Sequence, residues 1–305
     1  MTTESLPAPT FGGGHAEPQP RMGFFTDTSV CIGCKACEVA CKEWNLLPDE
    51  GFAFSSHSYD NTLALGATTW RHVAFIEQSR PVAVPGLDLA GSAAAATEQG
   101  DGKATVPDGA LSGENRDGMR WLMSSDVCKH CTSAACLEVC PTGALFRTEF
   151  GSVVVQADIC NGCGYCVPAC PFGVIDRRED DGRAWKCTLC YDRTRDGLEP
   201  ACAKACPTDS IQYGPLDELR GRAQQRLATL HERGIGAANL YLADDHDGVK
   251  GAGAFFLLLD EPEVYGLPPD PVSTTQDATA FWKAAGMAAG VLLAGVAAAF
   301  MGSRR

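Results

Sequence analysis

The sequence predicts an α+β fold followed by one membrane-crossing helix near the C-terminal end, and three observations support this prediction. Its sixteen cysteines fall into four groups of four, which leaves no odd thiol. After three of these groups the chain repeats a Cys-Pro step, a turn and a β-prone run, as CPTGALF, CPFGVID and CPTDSIQ. Near the C-terminal end, residues 284–302 carry no charged side chain.

The spacing of the cysteines indicates metal ligands rather than disulfides. The third group is CNGCGYCVPACP, the CxxCxxCxxxCP run with which bacterial ferredoxins hold 4Fe-4S clusters. Disulfides require an oxidising compartment, and residues 1–22 contain no apolar segment typical of a secretion signal. Structural zinc, held by two separate CxxC pairs, is the alternative metal. The groups are Cys31, Cys34, Cys37, Cys41; Cys128, Cys131, Cys136, Cys140; Cys160, Cys163, Cys166, Cys170; and Cys187, Cys190, Cys202, Cys206.

Each compact motif predicts how its thiolates are divided between two clusters. Three thiolates two residues apart lie on one tight loop and can reach three irons of a single cluster. The fourth, three residues further on and expected at the start of a helix, points away and ligates the neighbouring cluster. The second, third and fourth groups end in Cys-Pro, whereas the first has Lys42 after its last cysteine.

Distance along the chain predicts which groups pair. Nineteen residues separate Cys140 from Cys160, so the second and third groups can form a self-contained unit around which the first and fourth pair. The expected fold is therefore two interleaved bacterial ferredoxin-like double-cluster domains plus a C-terminal transmembrane helix. The four expected 4Fe-4S sites are Cys31, Cys34, Cys37 with Cys206; Cys187, Cys190, Cys202 with Cys41; Cys128, Cys131, Cys136 with Cys170; and Cys160, Cys163, Cys166 with Cys140.

The expected domain boundaries follow from this nesting. Residues 23–85 and 184–268 form the outer domain, and residues 119–183 form the inner one. The remaining segments are a flexible N-terminus (1–22), an exposed Gly/Ala-rich insertion (86–118), a linker (269–280) and the membrane anchor (281–303).

Turn and periodicity signals predict the smaller elements. Residues 145–155 form a hairpin that turns at 150–152, and Asp181-Gly182 marks a second turn. Pro215 opens an amphipathic helix that ends near Gly234. Its apolar face, interpreted as core packing, is Leu216, Leu219, Ala223, Leu227 and Leu230.

The apolar segment 284–302 is long enough to cross a bilayer. At about 1.5 Å per residue it spans roughly 28 Å, close to the ~30 Å hydrocarbon core. Phe281 and Trp282 precede it, as is typical of a membrane interface. A buried soluble helix is the alternative. The segment contains no histidine, so any haem would belong to a partner.

Charges beside this segment predict its orientation. Arg304 and Arg305 follow it, whereas Asp270 and Asp277 precede it with a single Lys283. The positive-inside rule then places the C-terminus in the cytoplasm and the cluster domains on the outer face. Neither a Sec signal nor a twin-arginine leader is recognisable, so we expect export of the folded chain together with its catalytic partner.

Composition and motifs exclude several other functions. The formal net charge of −13 argues against nucleic-acid binding. The sequence contains no GxSxG, P-loop or Rossmann motif. His130, inside the second motif, is expected beside the cluster or at the surface rather than as a ligand. Five lysines adjoin the ligands, where positive charge would stabilise reduced clusters; solvation at the surface is the alternative role. They are Lys35, Lys42, Lys129, Lys186 and Lys204.

The sequence resembles the four-cluster iron-sulfur subunits of molybdopterin oxidoreductases, and within them the membrane-anchored formate dehydrogenase iron-sulfur (beta) subunits. The likeness covers most of residues 22–300. It is carried by GFFTDTSVCIGCKACEVACKEWN, SSDVCKHC, CLEVCPTGALFRTEFGSVVVQADICNGCGYCVPACPFGVIDR, WKCTLCYDR and the tail PEVYGLPPDP with FWK and the apolar helix. Nitrate reductase relatives replace one cysteine of the third motif, whereas Cys163 keeps that position filled here.

The resemblance implies an electron-transfer subunit without catalytic residues. A separate molybdopterin subunit, containing Mo or W, would oxidise formate. This chain would pass the electrons through its first, fourth, second and third motifs, in that order, to a cytochrome b membrane subunit that holds haem b and reduces quinone. The alternative is the equivalent subunit of a hydrogenase or of a sulfur-compound or sulfoxide reductase.

Overall fold

The computed structural model describes residues 20–49, 51, 55–56, 59–60, 62–79 and 119–302. Three expectations therefore lie wholly or mostly outside the described residues: the flexible N-terminus, the exposed insertion at 86–118, and the position of Arg304 and Arg305.

Helices and strands are mixed along the described chain, which confirms the coarse fold class. The strands are β1 (Met22–Asp27), β2 (Arg71–Ser79), β3 (Met119–Val127), β4 (Leu145–Arg147), β5 (Val153–Val155), β6 (Asp176–Arg177), β7 (Ala184–Trp185), β8 (Ile211–Pro215), β9 (Asn239–Tyr241) and β10 (Ala254–Leu258). The helices are α1 (Ala36–Trp44), α2 (Ala135–Glu138), α3 (Cys166–Ala169), α4 (Tyr191–Arg195), α5 (Ala201–Lys204), α6 (Leu216–Glu232) and α7 (Ala278–Gly302), with 3-10 turns at Thr28–Val30 and Pro262–Tyr265.

The main core surrounds a four-stranded sheet in the order β8-β1-β10-β9. β1 pairs in parallel with β10 and antiparallel with β8. Every residue of β10 is buried, as expected for an apolar strand in the middle of a covered sheet. Gly23 allows this packing, because a Cβ there would lie 2.2 Å from the Gly253 carbonyl oxygen.

Helix α6 covers the sheet with the apolar face predicted from its periodicity. Leu216, Leu219, Ala223 and Leu230 are buried, and Leu227 packs against the same core. On its outer side, the Arg226 guanidinium forms an ion pair with Asp27 at 3.0 Å. The helix is thereby fixed beside the loop that carries the first cysteine motif.

The second and third motifs surround a smaller, separate core. Its members include Leu145, Val153, Ile175 and Ala184, which lie in or beside two short antiparallel ladders. β4 pairs with β5, which confirms the predicted hairpin, and β6 pairs with β7 across the predicted turn at Asp181-Gly182. Helix α2 packs on α3 in this unit, whereas α1 packs on α5 in the larger one.

Two further elements complete the described chain. β2 and β3 form a nine-residue antiparallel ladder whose side chains reach the first motif. Helix α7 begins at Ala278, three residues before the predicted anchor, and within the described residues its segment Ala280–Met301 is the one helix long and apolar enough to cross a membrane. None of that segment is buried against the rest of the chain.

Candidate iron-sulfur centres

The helix in each motif begins at the third cysteine or at the alanine just before it. The prediction that the fourth cysteine starts a helix is wrong. In the third motif α3 begins at Cys166, the third cysteine, and Cys170 caps its end. The proline after the fourth cysteine disfavours a helical conformation in the residue before it, so the helix stops there. Cys41 is followed by Lys42, and α1 accordingly continues to Trp44.

All four CxxC loops share one backbone feature. The residue just before the second cysteine has a left-handed conformation in each of them: Gly33 (φ 65°), His130 (φ 45°), Gly162 (φ 73°) and Leu189 (φ 60°). Glycine adopts this conformation freely, but for His130 and Leu189 it costs about 1–3 kcal/mol. Strain of this kind persists where the surrounding structure enforces it, typically at functional sites.

Four thiols from two motifs line one cavity. Cys31, Cys34 and Cys37 of the first motif and Cys206 of the fourth surround about 290 Å³ of space. Burial raises the pKa of Cys31, and the nearby Cys206 thiol raises it further. The structure therefore brings together the four residues that the sequence assigns to this site.

A second cavity, of about 400 Å³, is lined by four other thiols from two motifs. They are Cys128, Cys131 and Cys136 of the second motif with Cys170 of the third. Burial raises the pKa of Cys136 to about 12, an effect that Cys128 and Cys170 increase. This group also coincides with one of the sets expected from the sequence.

The remaining eight thiols form two more groups. In the first of these, the Asn45 amide nitrogen lies 3.7 Å from Cys41 Sγ and 4.0 Å from Cys190 Sγ. Burial strongly raises the pKa of Cys41, and Cys187, Cys202 and Cys190 raise it further.

In the last group, burial raises the pKa of Cys166 to about 11, and the thiols of Cys160, Cys140 and Cys163 contribute to the increase. The backbone N–H of Ala184 donates to Cys160 Sγ at 3.4 Å. As in the other groups, three cysteines of one motif lie near the fourth cysteine of another.

The geometry of these groups fits a cluster better than a single ion. Among the residues that the structure describes, no three His, Cys, Asp or Glu side chains are placed to hold one metal ion. Structural zinc needs four such ligands at about 2.0–2.3 Å from the metal. The thiols instead line two cavities, with one set of four in each, an arrangement that suits a cluster.

His130 is buried beside the second cavity, so the suggestion of surface exposure is wrong. Its side chain is 1% exposed, and its Nδ1 accepts a hydrogen bond of 3.0 Å from the Val153 N–H. Nδ1 therefore carries no proton and Nε2 is the protonated nitrogen. Nε2 has no hydrogen-bond partner in the described chain, which leaves a buried donor at a residue that lines this cavity. Such a donor suits the sulfur atoms of a cluster.

The cationic neighbours of the ligands differ in burial, and Lys35 and Lys42 are half-buried. Lys129, Lys186 and Arg71 are at most 2% exposed, whereas the Lys204 side chain is 72% exposed. Lys129 forms an ion pair with Asp126. Sequence reasoning named the lysines but missed Arg71, because it lies 34 residues beyond Cys37, and only the pairing of β2 with β3 brings it to the site.

Comparison with known proteins agrees with these sites. Two family models, each described as a 4Fe-4S dicluster domain, match residues 30–144 and 119–216. The chain is 39% identical to the formate dehydrogenase iron-sulfur subunit of Haemophilus influenzae, over 80% of this chain and 68% of that protein. It is 38% identical to the nitrate-inducible formate dehydrogenase iron-sulfur subunit of Escherichia coli, over 85% and 76%. One subunit of the anaerobic dimethyl sulfoxide reductase of E. coli is 34% identical over 66% and 76%.

The sixteen clustered thiols and the two matched domains define the class of protein: an electron-transfer protein with four 4Fe-4S clusters. Within that class the chain belongs to the family of formate dehydrogenase iron-sulfur subunits. Its relatives in that family are the iron-sulfur subunits of their complexes, not the catalytic ones.

Proposed function

We propose that this chain conducts electrons from a formate-oxidising molybdopterin subunit, with Mo or W, to a cytochrome b subunit in the membrane. The observation that carries the proposal is the grouping of its sixteen thiols into four neighbouring four-thiol sites, two of them around well-defined cavities. When bound, 4Fe-4S clusters supply one-electron transfer. The chain's own residues hold the clusters and exclude water from them.

We further propose the crossed ligand sets that were expected from the sequence, and with them two interleaved ferredoxin-like domains. The packing of α1 on α5 and of α2 on α3 supports this arrangement. The small core around Leu145, Val153 and Ile175 supports an inner domain of residues 119–183. The outer domain would then combine residues 23–85 and 184–268, with 269–280 as the linker to the anchor.

The exposure of individual cysteines supports the proposed order of electron transfer, which runs through the first, fourth, second and third motifs. Of the sixteen thiols, Cys34 and Cys163 are the two exposed ones. They belong to the first and third motifs, which stand at the two ends of the proposed order. The apolar side chains beside them, Ile32 and Tyr165, are also exposed, and apolar surface of this kind suits contact with a partner subunit.

Iron content tests the number of clusters. Four ligand sets of four cysteines predict about sixteen irons per chain, and the protein should be brown with broad absorption near 400 nm. Anaerobic iron analysis of this chain, separated from its partner subunits, measures this number, because a cytochrome b partner would add haem iron to the count. Twelve irons or fewer in fully loaded protein would contradict the proposal.

The similarity to a dimethyl sulfoxide reductase subunit supports a second candidate function, electron transfer in a sulfoxide reductase. That relative matches 66% of the chain, against 80–87% for the formate dehydrogenase subunits. Purification of the complex in mild detergent, followed by identification of the large subunit that accompanies this chain, separates the two candidates. A formate-oxidising subunit supports the proposal, and a sulfoxide-reducing one would replace it.

We propose that α7 anchors the chain in the membrane with the cluster domains on the outer face. The unburied apolar surface of Ala280–Met301 supports the anchor. The arginines at positions 304 and 305 support the orientation, because positive charges favour the cytoplasmic side.

The orientation is tested with spheroplasts. Protease added to intact spheroplasts is expected to cleave the cluster-bearing part of the chain, since that part would face the medium. An inner-membrane protein with a known cytoplasmic domain serves as the control for intactness. Complete protection of this chain until lysis would place the clusters in the cytoplasm.

A further inference from the structure

Arg71 is a buried cation that reaches two thiol sites. It is 1% exposed, and its Nη2 donates to Cys202 Sγ at 3.3 Å. Its Nη1 donates to the carbonyl oxygen of Ser125 at 3.1 Å, and the Ser125 hydroxyl lies 3.2 Å from Cys37 Sγ. An arginine side chain is not deprotonated in proteins. The guanidinium therefore stays charged between the first-motif and fourth-motif sites.

Lys186 is placed like Arg71, but it lies between the second-motif and fourth-motif sites. It is 2% exposed and lines the cavity of Cys128 and Cys136. Its ammonium donates to the Cys187 carbonyl oxygen at 3.0 Å and to the Val153 carbonyl oxygen. Both of these carbonyl oxygens accept hydrogen bonds from the ammonium group, which has three N–H donors. The ammonium thus faces both the second-motif and the fourth-motif site.

Neither cation is balanced by a carboxylate. Within the described residues, Arg71 and Lys186 form no ion pair with Asp or Glu, in contrast to the equally buried Lys129. An isolated buried charge is costly unless an opposite charge accompanies it. Glu38 lines a cavity with Arg71 but is paired with Lys35, whereas the thiols of the cluster sites contact Arg71 and line the cavity of Lys186.

We infer that Arg71 and Lys186 are shared cations, each raising the reduction potentials of the two clusters that it faces, with the fourth-motif cluster common to both. This inference rests on the proposed ligand sets. A positive charge favours the more reduced, more negative cluster, and in the protein interior the effect extends to both neighbours. The two cations occupy the two gaps that connect the first, fourth and second sites.

The test is an EPR-monitored redox titration of the complex, purified anaerobically. Lys186→Met and Arg71→Met remove the charge, whereas Lys186→Arg and Arg71→Lys keep it. Each neutral variant is expected to lower the potentials of two of the four clusters, by on the order of tenfold in the reduction equilibrium, or 59 mV for a one-electron couple. The two affected pairs share one cluster. The charge-keeping variants retain potentials near those of the wild type.

Lys204→Met is the matched control, because this lysine lies two residues from both Cys202 and Cys206 but is exposed. This variant should leave all four reduction potentials unchanged. The inference would be overturned if a neutral variant changed the potential of one cluster alone or of all four equally. It would also be overturned if the two pairs of affected clusters had no cluster in common. A neutral variant could lose iron. In that case, about sixteen irons in its charge-keeping counterpart would support a requirement for the positive charge. Loss of iron in both variants would overturn the inference. Fewer than four clusters in the wild type would instead contradict the proposed function.

Discussion

Replacement of Cys170 by alanine is expected to destroy the cluster of the second motif and to spare the cluster of its own, third motif. The reason is that Cys170 lines the cavity of Cys128, Cys131 and Cys136. Iron should fall from about sixteen to about twelve per chain. EPR spectra of the reduced complex then show which of the four signals is lost.

Two matched variants identify that signal without prior assignment. Cys131→Ala removes a second-motif ligand, and Cys163→Ala removes a third-motif ligand. The spectrum of Cys170→Ala should match that of Cys131→Ala. A match to Cys163→Ala would show that each motif keeps its own fourth cysteine, and the interleaved arrangement would have to be abandoned.

Removal of helix α7 is expected to change where the protein is found rather than whether it folds. A chain that stops after Asp277 lacks the unburied apolar surface of Ala280–Met301, and the main core contains no residue of this helix. Expressed with its catalytic partner but without the cytochrome subunit, the shortened chain should move from the membrane fraction to the soluble fraction.

Iron content is the control for this truncation. The soluble chain should keep about sixteen irons, because every proposed ligand lies before residue 207. Loss of iron would mean that the helix supports the cluster domains. Retention in the membrane fraction would mean that α7 is not the anchor.

The grouping of the cysteines could be predicted from the sequence because each motif is local. In the third motif, proline after the fourth cysteine and glycine before the second encode the loop and its short helix within a dozen residues. The same holds for α6, whose buried face follows a helical period. The predicted helix start is wrong because the CxxxCP pattern is compatible with a helical turn before or after its second cysteine. The proline disfavours a helical conformation in the cysteine before it, so the turn forms on the N-terminal side.

The electrostatic surroundings of the sites could not be predicted, since they depend on contacts between distant segments. Arg71 reaches Cys202 only because β2 and β3 lie beside the first motif. Lys129 and Lys204 look alike in sequence, but the first is buried against Phe172 and Phe256 and the second points to solvent. Burial of a charged side chain is a property of the assembled core, which local patterns do not encode.

The parallel pairing of β1 with β10 also bears on how the chain is synthesised. The strand β1, which leads into the first motif, pairs with β10, with Phe24 opposite Ala254. This pairing can form only after residues 254–258 have been synthesised. The hairpins β4-β5 and β6-β7 close within a dozen residues each, and local contacts form faster than distant ones. The two hairpins around the second and third motifs can therefore form while the main sheet still awaits its strand β10.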